Sequence, residues 1–487
     1  MGQSVIVIGA GISGIAAAIR LAQRGEFVTV LEANKYPGGK LTQISLNGYR
    51  FDAGPSLFTL PEEVESLFDL CGLKTEDHFQ YKALETSCHY FYPDGTFLKA
   101  YADRSRFIDE LNDKLGEPKK NVAAALDNSA FLYEKLAPLF MHKSLHNGST
   151  WLGSKAMQAY TKLSKFGFGK SMHQANAKRF ETEKAVQLFN RYATYNGSDP
   201  YQAPATLNII PHLEFGKGAF FPVKGMHDIT MSLYELAKKM GVKFRFNTKV
   251  KNIVVHEGKA KGVNTGMGFH KSDRVVSNMD VVGTYKKLLK GQSQPKKLLT
   301  QPKSSSALIF YWGIKKTFKQ LDLHNIFFSG NYQTEFEHIF QKGTIYEDPT
   351  VYLNITSTQK PDDAPEGCMN WFTMINVPNN QGQDWDSLIA EAKANILKKL
   401  SVQLGEDIEP LIEVEDILDP RTIELRTSSS QGALYGNSSN NKYAAFLRHA
   451  NFSKKIKNLY FCGGSVHPGG GIPLCLLSAK IMVDNYR

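Results

Sequence analysis

Ser4-Val-Ile-Val-Ile-Gly-Ala-Gly-Ile-Ser-Gly14 is the stretch on which the reading of this chain turns. A short apolar run, Val5 to Ile8, meets glycines at positions 9, 11 and 14. It continues as Ile15-Ala-Ala-Ala-Ile-Arg-Leu-Ala22, a series of small and apolar helix formers. Strand, turn and helix in that order are what a dinucleotide-binding unit requires. Gly9 permits the tight turn, Gly11 lets the backbone approach a pyrophosphate, and Gly14 lets helix and strand pack closely. The free N–H groups at the helix start, around Ile12 and Ser13, then face the phosphates. A second β-rich run, Phe27-Val-Thr-Val-Leu31, ends at Glu32-Ala33, where the carboxylate can accept ribose hydroxyls.

Beyond Glu32, the run Lys35-Tyr-Pro-Gly-Gly-Lys40 brings a glycine doublet and a cation back toward the helix N-terminus, where they meet the same pyrophosphate. Phe51-Asp-Ala-Gly-Pro-Ser56 offers another turn of small residues through Gly54 and Pro55. Gly9, Gly11, Gly14, Glu32 and Gly38-Gly39-Lys40 together resemble the FAD-binding signature of the amine oxidase/phytoene desaturase superfamily. An ordinary nicotinamide dehydrogenase has no need of the doublet. The resemblance implies FAD as the cofactor.

A chain of 487 residues is too long for one compact core and suits two intertwined domains. Its 42% hydrophobic and 22% charged residues indicate a globular protein. The five cysteines are scattered, with no close pair of metal or redox type, which favours a reducing cytoplasm. The apolar N-terminus does not read as a signal peptide: no Lys or Arg precedes Arg20, and glycines interrupt the run. No apolar run approaches the ~20 residues of a membrane span. The net charge of +11 comes with no nucleic-acid module, so nucleic acid is not an expected partner.

The basic charge is unevenly spread. Met141 to Phe180 holds Lys143, Lys155, Lys162, Lys165, Lys170, Lys178 and Arg179 and no acidic residue. Leu145, Trp151, Leu152, Met157, Tyr160, Leu163, Phe166 and Phe168 lie among them. Such a mixture suits docking at the headgroups of an anionic bilayer. A helical lid with a solvated basic face has the same composition.

Upstream of that segment, residues 60–73 read as a short amphipathic helix closed by Gly72. Phe79 to Tyr101 reads as a hairpin turning at Pro93-Asp-Gly95, and 104–140 has helical period. Downstream, a helix over 228–240 precedes strands at 242–246 and 248–255 and the run Asp273-Arg-Val-Val-Ser-Asn278. Residues 286–434 read as a broad mixed sheet with one helical insert, Trp385 to Leu404. Its aromatic faces suit an elongated apolar ligand, although a core sheet has the same periodicity.

The C-terminal run Lys457 to Lys480 reads as strand, glycine–proline loop and helix, and such a loop presents backbone N–H groups to an electron-rich edge. It resembles the signature of bacterial carotenoid desaturases at Gly463, Ser465, His467, Pro468, Gly469, Gly470, Gly471 and Pro473, with Gly464 and Ser478-Ala-Lys480 as mild departures. Gly464 and Ile472 join the expected cofactor-binding set. The likeness extends over essentially the whole chain. It implies an α/β protein: a Rossmann-type FAD-binding domain (1–75, 215–285, 435–487), a mixed-sheet substrate domain (76–140, 181–214, 286–434), and 141–180 as a helical membrane-facing segment or lid. Val250 falls where family members place a backbone against the adenine. Arg191, Tyr195 and Asp199 fall where the family's substrate-centre residues lie, and His467 beside the flavin loop either acts there or anchors the turn.

The implied activity is FAD-dependent introduction of C=C bonds into a long apolar polyene. The implied setting is peripheral, on the cytoplasmic side of the inner membrane. The likeness is nearest to the hydroxycarotenoid 3,4-desaturase branch, with phytoene desaturases next. A polyene cis–trans isomerase on the same scaffold is the alternative reaction. An amine oxidase or a prenyl-escort protein fits less well, since the former's C-terminal substrate motifs are missing and Glu32 and the glycine loop are retained.

Overall fold

The computed structural model describes residues 2–153, 157, 160–162, 166–167, 169–441 and 448–486. Its opening forms the strand Ser4–Ile8 and the helix Ile12–Gln23, followed by the strand Phe27–Leu31. Val5 to Ile8 are all buried, as a strand covered on both faces demands. A Cβ on Gly14 would stand 2.2 Å from the Gly9 carbonyl oxygen, so the helix–strand approach admits no side chain there.

Five parallel strands make the first sheet, in the order Leu459–Phe461, Arg274–Ser277, Ser4–Ile8, Phe27–Leu31, Lys243–Arg245. The strands come from both ends and the middle of the chain, which is the predicted return to the nucleotide unit. One face is covered by the helices Ile12–Gln23, His227–Lys239 and Ile472–Asp484, whose Ile15, Ile19, Leu233, Leu236, Leu476 and Met482 pack in one core with Val5, Val7, Val28 and Val30. The other face, carrying Ile6, Ile8 and Val275, packs with Ile253 and Val263 of the antiparallel sheet Asn252–His256, Lys259–Thr265, Gly268–Lys271.

The second sheet has seven strands, ordered Ile412–Leu418, Ser306–Ile314, Met369–Val377, Val351–Asn354, His324–Phe327, Thr86–Phe91, Phe97–Tyr101. It is antiparallel except between His324–Phe327 and Thr86–Phe91, and so is mixed as expected. The Pro93-Asp-Gly95 turn closes the predicted hairpin, with the Tyr92 N–H donating to the Thr96 carbonyl at 2.9 Å. Period-two alternation divides the faces. Leu308, Phe310, Trp312 and Trp371 pack with Ile396 and Leu400 of the helix Trp385–Leu404. Ala307, Ile309, Tyr311 and Phe372 turn the other way, toward the hairpin Thr42–Leu46/Tyr49–Ala53.

The expectation of one helical insert in 286–434 is corrected. Short helices also form at Tyr332–Glu337 and Pro420–Thr427, and a further strand at Ile412–Leu418. Six or eight residues are too few for helical period to show, and the caps carry the signal instead: Asn331 accepts from the Thr334 N–H at 3.0 Å and Asp419 from the Thr422 N–H at 2.9 Å. In the basic segment, helices form at Gly148–Leu152 and Met172–Arg179, the second held by a Ser171/Gln174 capping box. Lys155, Leu163, Lys165 and Phe168 lie outside the described residues. No helix among the described residues is long and apolar enough to cross a membrane.

Candidate active site

A cavity of about 1420 Å³ runs from the carboxyl ends of the parallel strands to the second sheet. It exceeds the roughly 300–1,000 Å³ of a site for one small ligand, and has room for a dinucleotide and a second molecule.

The dinucleotide end is built from backbone. Gly11 caps the helix Ile12–Gln23 with no side-chain hydrogen bond, which leaves the helix N-terminus open to a ligand. Ser13 is 2% exposed and lines the cavity, and its hydroxyl has no nitrogen or oxygen partner among the described residues. Glu32 is buried at the end of the second strand, one oxygen accepting from the Ala10 N–H at 2.7 Å and the other from the Asn34 N–H at 2.8 Å. Lone pairs remain on each oxygen for hydroxyl donors. Gly39 lies on Gly11, where its Cβ would stand 3.4 Å from the Gly11 Cα. Gly54, at φ 155°, lies on the Lys40 carbonyl, which a Cβ would meet at 1.8 Å. At the C-terminal loop, Gly471 (φ 105°) starts the helix Ile472–Asp484, again with no side-chain cap. Two uncapped helix N-termini therefore open on one cavity, a setting for anionic groups.

Most of the predicted cofactor residues come together here. Gly9, Gly11, Ile12, Ser13, Glu32, Ala33, Gly38, Gly39, Lys40, Gly54, Pro55, Ser56, Val250, Gly463, Gly464, Gly471, Ile472 and Pro473 all line the cavity. Gly14 does not. It lies behind the turn against Gly9 and Asn278, in its packing role. Lys40 departs from the expectation that its cation faces a pyrophosphate. Its ammonium donates to the carbonyls of Leu434 at 2.8 Å and Ala433 at 3.2 Å, tying the doublet to the strand-to-loop return, and burial lowers its pKa.

The predicted substrate-centre residues divide. Arg191 and Tyr195 line the cavity, and so does His467. Asp199 is placed elsewhere, beside Tyr201, Gln202 and Glu337 in a small separate pocket. Its carboxylate accepts from the Tyr201 N–H at 2.8 Å and from Gln202 Nε2 at 2.6 Å, which shapes the turn following Gly197. Proximity in sequence to Tyr195 does not bring it to the cavity, because the 3₁₀ turns Arg191–Asn196 end at Gly197 (φ 57°) and reverse the chain. His467 presents Nε2 to the Lys143 carbonyl at 2.7 Å, its Nδ1 has no partner among the described residues, and burial lowers its pKa to about 4. It thus links the C-terminal glycine–proline loop to the start of the basic segment.

Sequence reasoning missed Glu214. Its carboxylate is buried beneath Arg191, accepting from Tyr192 Oη at 2.9 Å and from Tyr195 Oη, and faces Arg191 Nη2 at 3.4 Å. Its one signal is an acid within the apolar turn Pro211-His-Leu-Glu-Phe215. Tyr352 and His324 were not singled out either, since their strands read only as parts of a sheet facing either a ligand or the core. Around these groups the chamber is apolar, with Leu136, Phe140, Leu207, Ile209, Ile309, Phe372 and Met374 in its walls.

Residues 12–485 match the flavin-containing amine oxidoreductase family. The chain belongs to that family. Among curated relatives it is 53% identical to the 1-hydroxycarotenoid 3,4-desaturase of a Flavobacterium species, over 99% of this chain and 98% of that protein. It is 31% identical to the phytoene desaturase of Fusarium fujikuroi, over 99% of this chain and 89% of that one. Among solved structures, wild-type putrescine oxidase bound to putrescine superposes with a TM-score of 0.62 at 15% identity, covering 100% of this chain and 99% of the other, a likeness of fold. As a flavin-containing amine oxidoreductase, the chain is an FAD-dependent oxidoreductase. The open helix N-termini, the Ser13 hydroxyl at the cavity wall and the buried Glu32 fit that cofactor.

Proposed function

We propose that this protein is a carotenoid 3,4-desaturase acting on 1-hydroxylated polyenes. The observation that carries the reading is the continuity of the dinucleotide cradle with an apolar chamber, in a chain 53% identical, nearly end to end, to a 1-hydroxycarotenoid 3,4-desaturase. Bound in the cradle, FAD supplies a two-electron acceptor for oxidation of a C–C bond. The chain's own part is to bind and orient. Glu32 holds ribose hydroxyls, the two helix N-termini hold phosphate and ring edges, and the aromatic and aliphatic walls exclude water from the polyene. Arg191, Tyr195 and Glu214 make one rigid wall of the chamber, and His467 anchors the adjoining loop. Asp199 serves the scaffold. The proposed FAD-binding unit comprises 1–75, 215–285 and 435–487, a division supported by the five-stranded parallel sheet that draws its strands from these segments.

A lipid-phase substrate calls for membrane attachment. Leu152, Met157 and Tyr160 are exposed, at 84%, 57% and 42%, and Lys143, Lys162, Lys170 and Lys178 of the same segment are exposed as well. Large apolar side chains standing in water among lysines are the surface that an anionic bilayer accepts. The reading is of a peripheral protein on the cytoplasmic face of the inner membrane.

The test is an anaerobic turnover with FAD-loaded protein and liposomes carrying a 1-hydroxylated carotene or phytoene, following flavin and polyene spectra together. Flavin bleaching with a red-shifted product from the hydroxylated carotene is expected. Bleaching with phytoene alone makes the protein a phytoene desaturase. An altered isomer pattern without bleaching makes it an isomerase.

A further inference from the structure

We infer that Ser56, Tyr352 and His324 form the subsite that recognises the substrate's C1 hydroxyl and so sets which bond is oxidised. The inference rests on the 3,4-desaturation proposed above. In such a substrate the hydroxyl oxygen is three bonds from C3, roughly 4 Å away. Whatever holds the oxygen must therefore stand where the dinucleotide wall meets the apolar chamber, not at a remote end of the cavity.

Ser56 stands on that wall. It follows Gly54, which lies on the Lys40 carbonyl, while the adjoining Gly39 lies on Gly11. Ser56 Oγ is 2.7 Å from Tyr352 Oη, and Tyr352 Oη is 2.7 Å from His324 Nδ1. All three residues line the cavity, with the apolar Leu57, Ile326 and Met374 also in its walls. Neighbouring strands hold the pair: His324 pairs with Asn354 and Ile326 with Tyr352 in the second sheet.

The direction of the chain of hydrogen bonds follows from Asn354. Its amide nitrogen donates to the Leu323 carbonyl at 2.9 Å and to His324 Nδ1 at 3.2 Å. With Asn354 donating, Nδ1 is the acceptor, its one lone pair shared between the 3.2 Å amide contact and the 2.7 Å Tyr352 hydroxyl, and the ring proton sits on Nε2; burial, which lowers the His324 pKa to about 4, keeps the ring neutral. Tyr352 then donates to His324, and Ser56 donates to Tyr352. Lone pairs on Ser56 Oγ and Tyr352 Oη remain for an incoming O–H, and His324 Nε2 has no partner among the described residues. Glu214, also in the wall, is differently placed, since it already takes Arg191, Tyr192 and Tyr195. An alcohol satisfies the open acceptors of the Ser56–Tyr352 pair; a polyene ending in hydrogen or methyl leaves them dry and unpaired, which a site of this kind penalises heavily.

The test compares kcat/KM for the 1-hydroxylated carotene and its deoxy counterpart in liposomes, for wild type, Tyr352→Phe, Ser56→Ala and His324→Gln. FAD absorbance and Tm select the variants that fold and load normally. The expected result is a preference for the alcohol that falls about 10–100-fold in Tyr352→Phe, mainly through KM. Product spectra should also spread over more than one bond position, because the end group is no longer held in register. A purely structural role would not move bond position. Wild-type preference for the alcohol with an unchanged ratio in every variant that loads FAD overturns the subsite alone. A wild type that prefers the deoxy polyene overturns the functional reading and the subsite with it.

Discussion

Glu214→Gln is the perturbation that tests the buried wall of the chamber most directly. Glu214 is 2% exposed and Arg191 6%, and the guanidinium carbon lies 5.2, 4.4 and 5.2 Å from the ring centres of Tyr90, Tyr192 and Tyr195. Glutamine keeps the size of the side chain and one carbonyl acceptor but removes the charge that balances Arg191. Removing one partner of a buried pair costs about 3–5 kcal/mol, because the remaining ion stays desolvated. Arg191 keeps its 2.6 Å bond to Tyr90 Oη and its aromatic faces, which places the loss at the low end, about 3 kcal/mol. The assay is urea unfolding of the FAD-loaded protein, for both single variants and for Arg191→Met combined with Glu214→Gln. Replacing both ions should restore part of the loss, giving a coupling of roughly 1–3 kcal/mol. A Glu214→Gln loss below about 1 kcal/mol, together with additive effects in the double variant, would refute the idea that this pair is a coupled charge buried in the wall.

Other expectations follow from the same reasoning. Glu32→Ala should lower FAD affinity about 10–100-fold in a fluorescence titration, since it removes the ribose acceptor along with the bonds to Ala10 and Asn34; full flavin occupancy at limiting FAD would contradict the role. Gly14→Ala, whose Cβ would stand 2.2 Å from the Gly9 oxygen, should cost about 1–3 kcal/mol in denaturant unfolding and also weaken FAD retention, because the turn must shift. Burial lowers the pKa of His324, His449 and His467 from 6.5 to about 4, so the unfolded chain binds these protons first as pH falls. Their contribution is therefore complete above pH 6.5 and lost down to about pH 4, at most about 3 kcal/mol each. His449→Gln should flatten the fall in urea midpoint over that interval, and an unchanged slope would show that His449 takes up protons without resistance. Neutralising Lys143, Lys162, Lys170 and Lys178 together should weaken binding to anionic liposomes and remove its salt dependence; wild-type binding would return the segment to the role of a lid.

The glycine turn and terminal acid of the proposed cofactor site were legible because their requirements are local. A turn that must pass under a pyrophosphate needs glycine at positions separated by two and three residues, and an acid must follow the next strand. Gly9, Gly11, Gly14 and Glu32 state this within a span that one strand–helix–strand unit closes by itself. The C-terminal loop was readable for the same reason, since glycines and a proline ahead of a helix leave few alternatives. Long elements such as Trp385–Leu404 showed their period, while Tyr332–Glu337 and Pro420–Thr427 were too short to.

The substrate side was not legible in that way. Tyr352 and His324 occupy alternate positions of strands whose other residues are core, and nothing local distinguishes a side chain facing Trp385–Leu404 from one facing a cavity. Asp199 and Glu214 show the same limit from two sides: four residues from Tyr195, Asp199 turns away, while Glu214 arrives beneath it from a separate turn. By itself the sequence determined the nucleotide unit, its cofactor and the return of the chain to it, because those are set by backbone freedom over a few residues. Only the tertiary structure decided which polar groups meet in the chamber, because a buried hydrogen-bond network is set by which strands become neighbours, and that depends on packing across the whole chain.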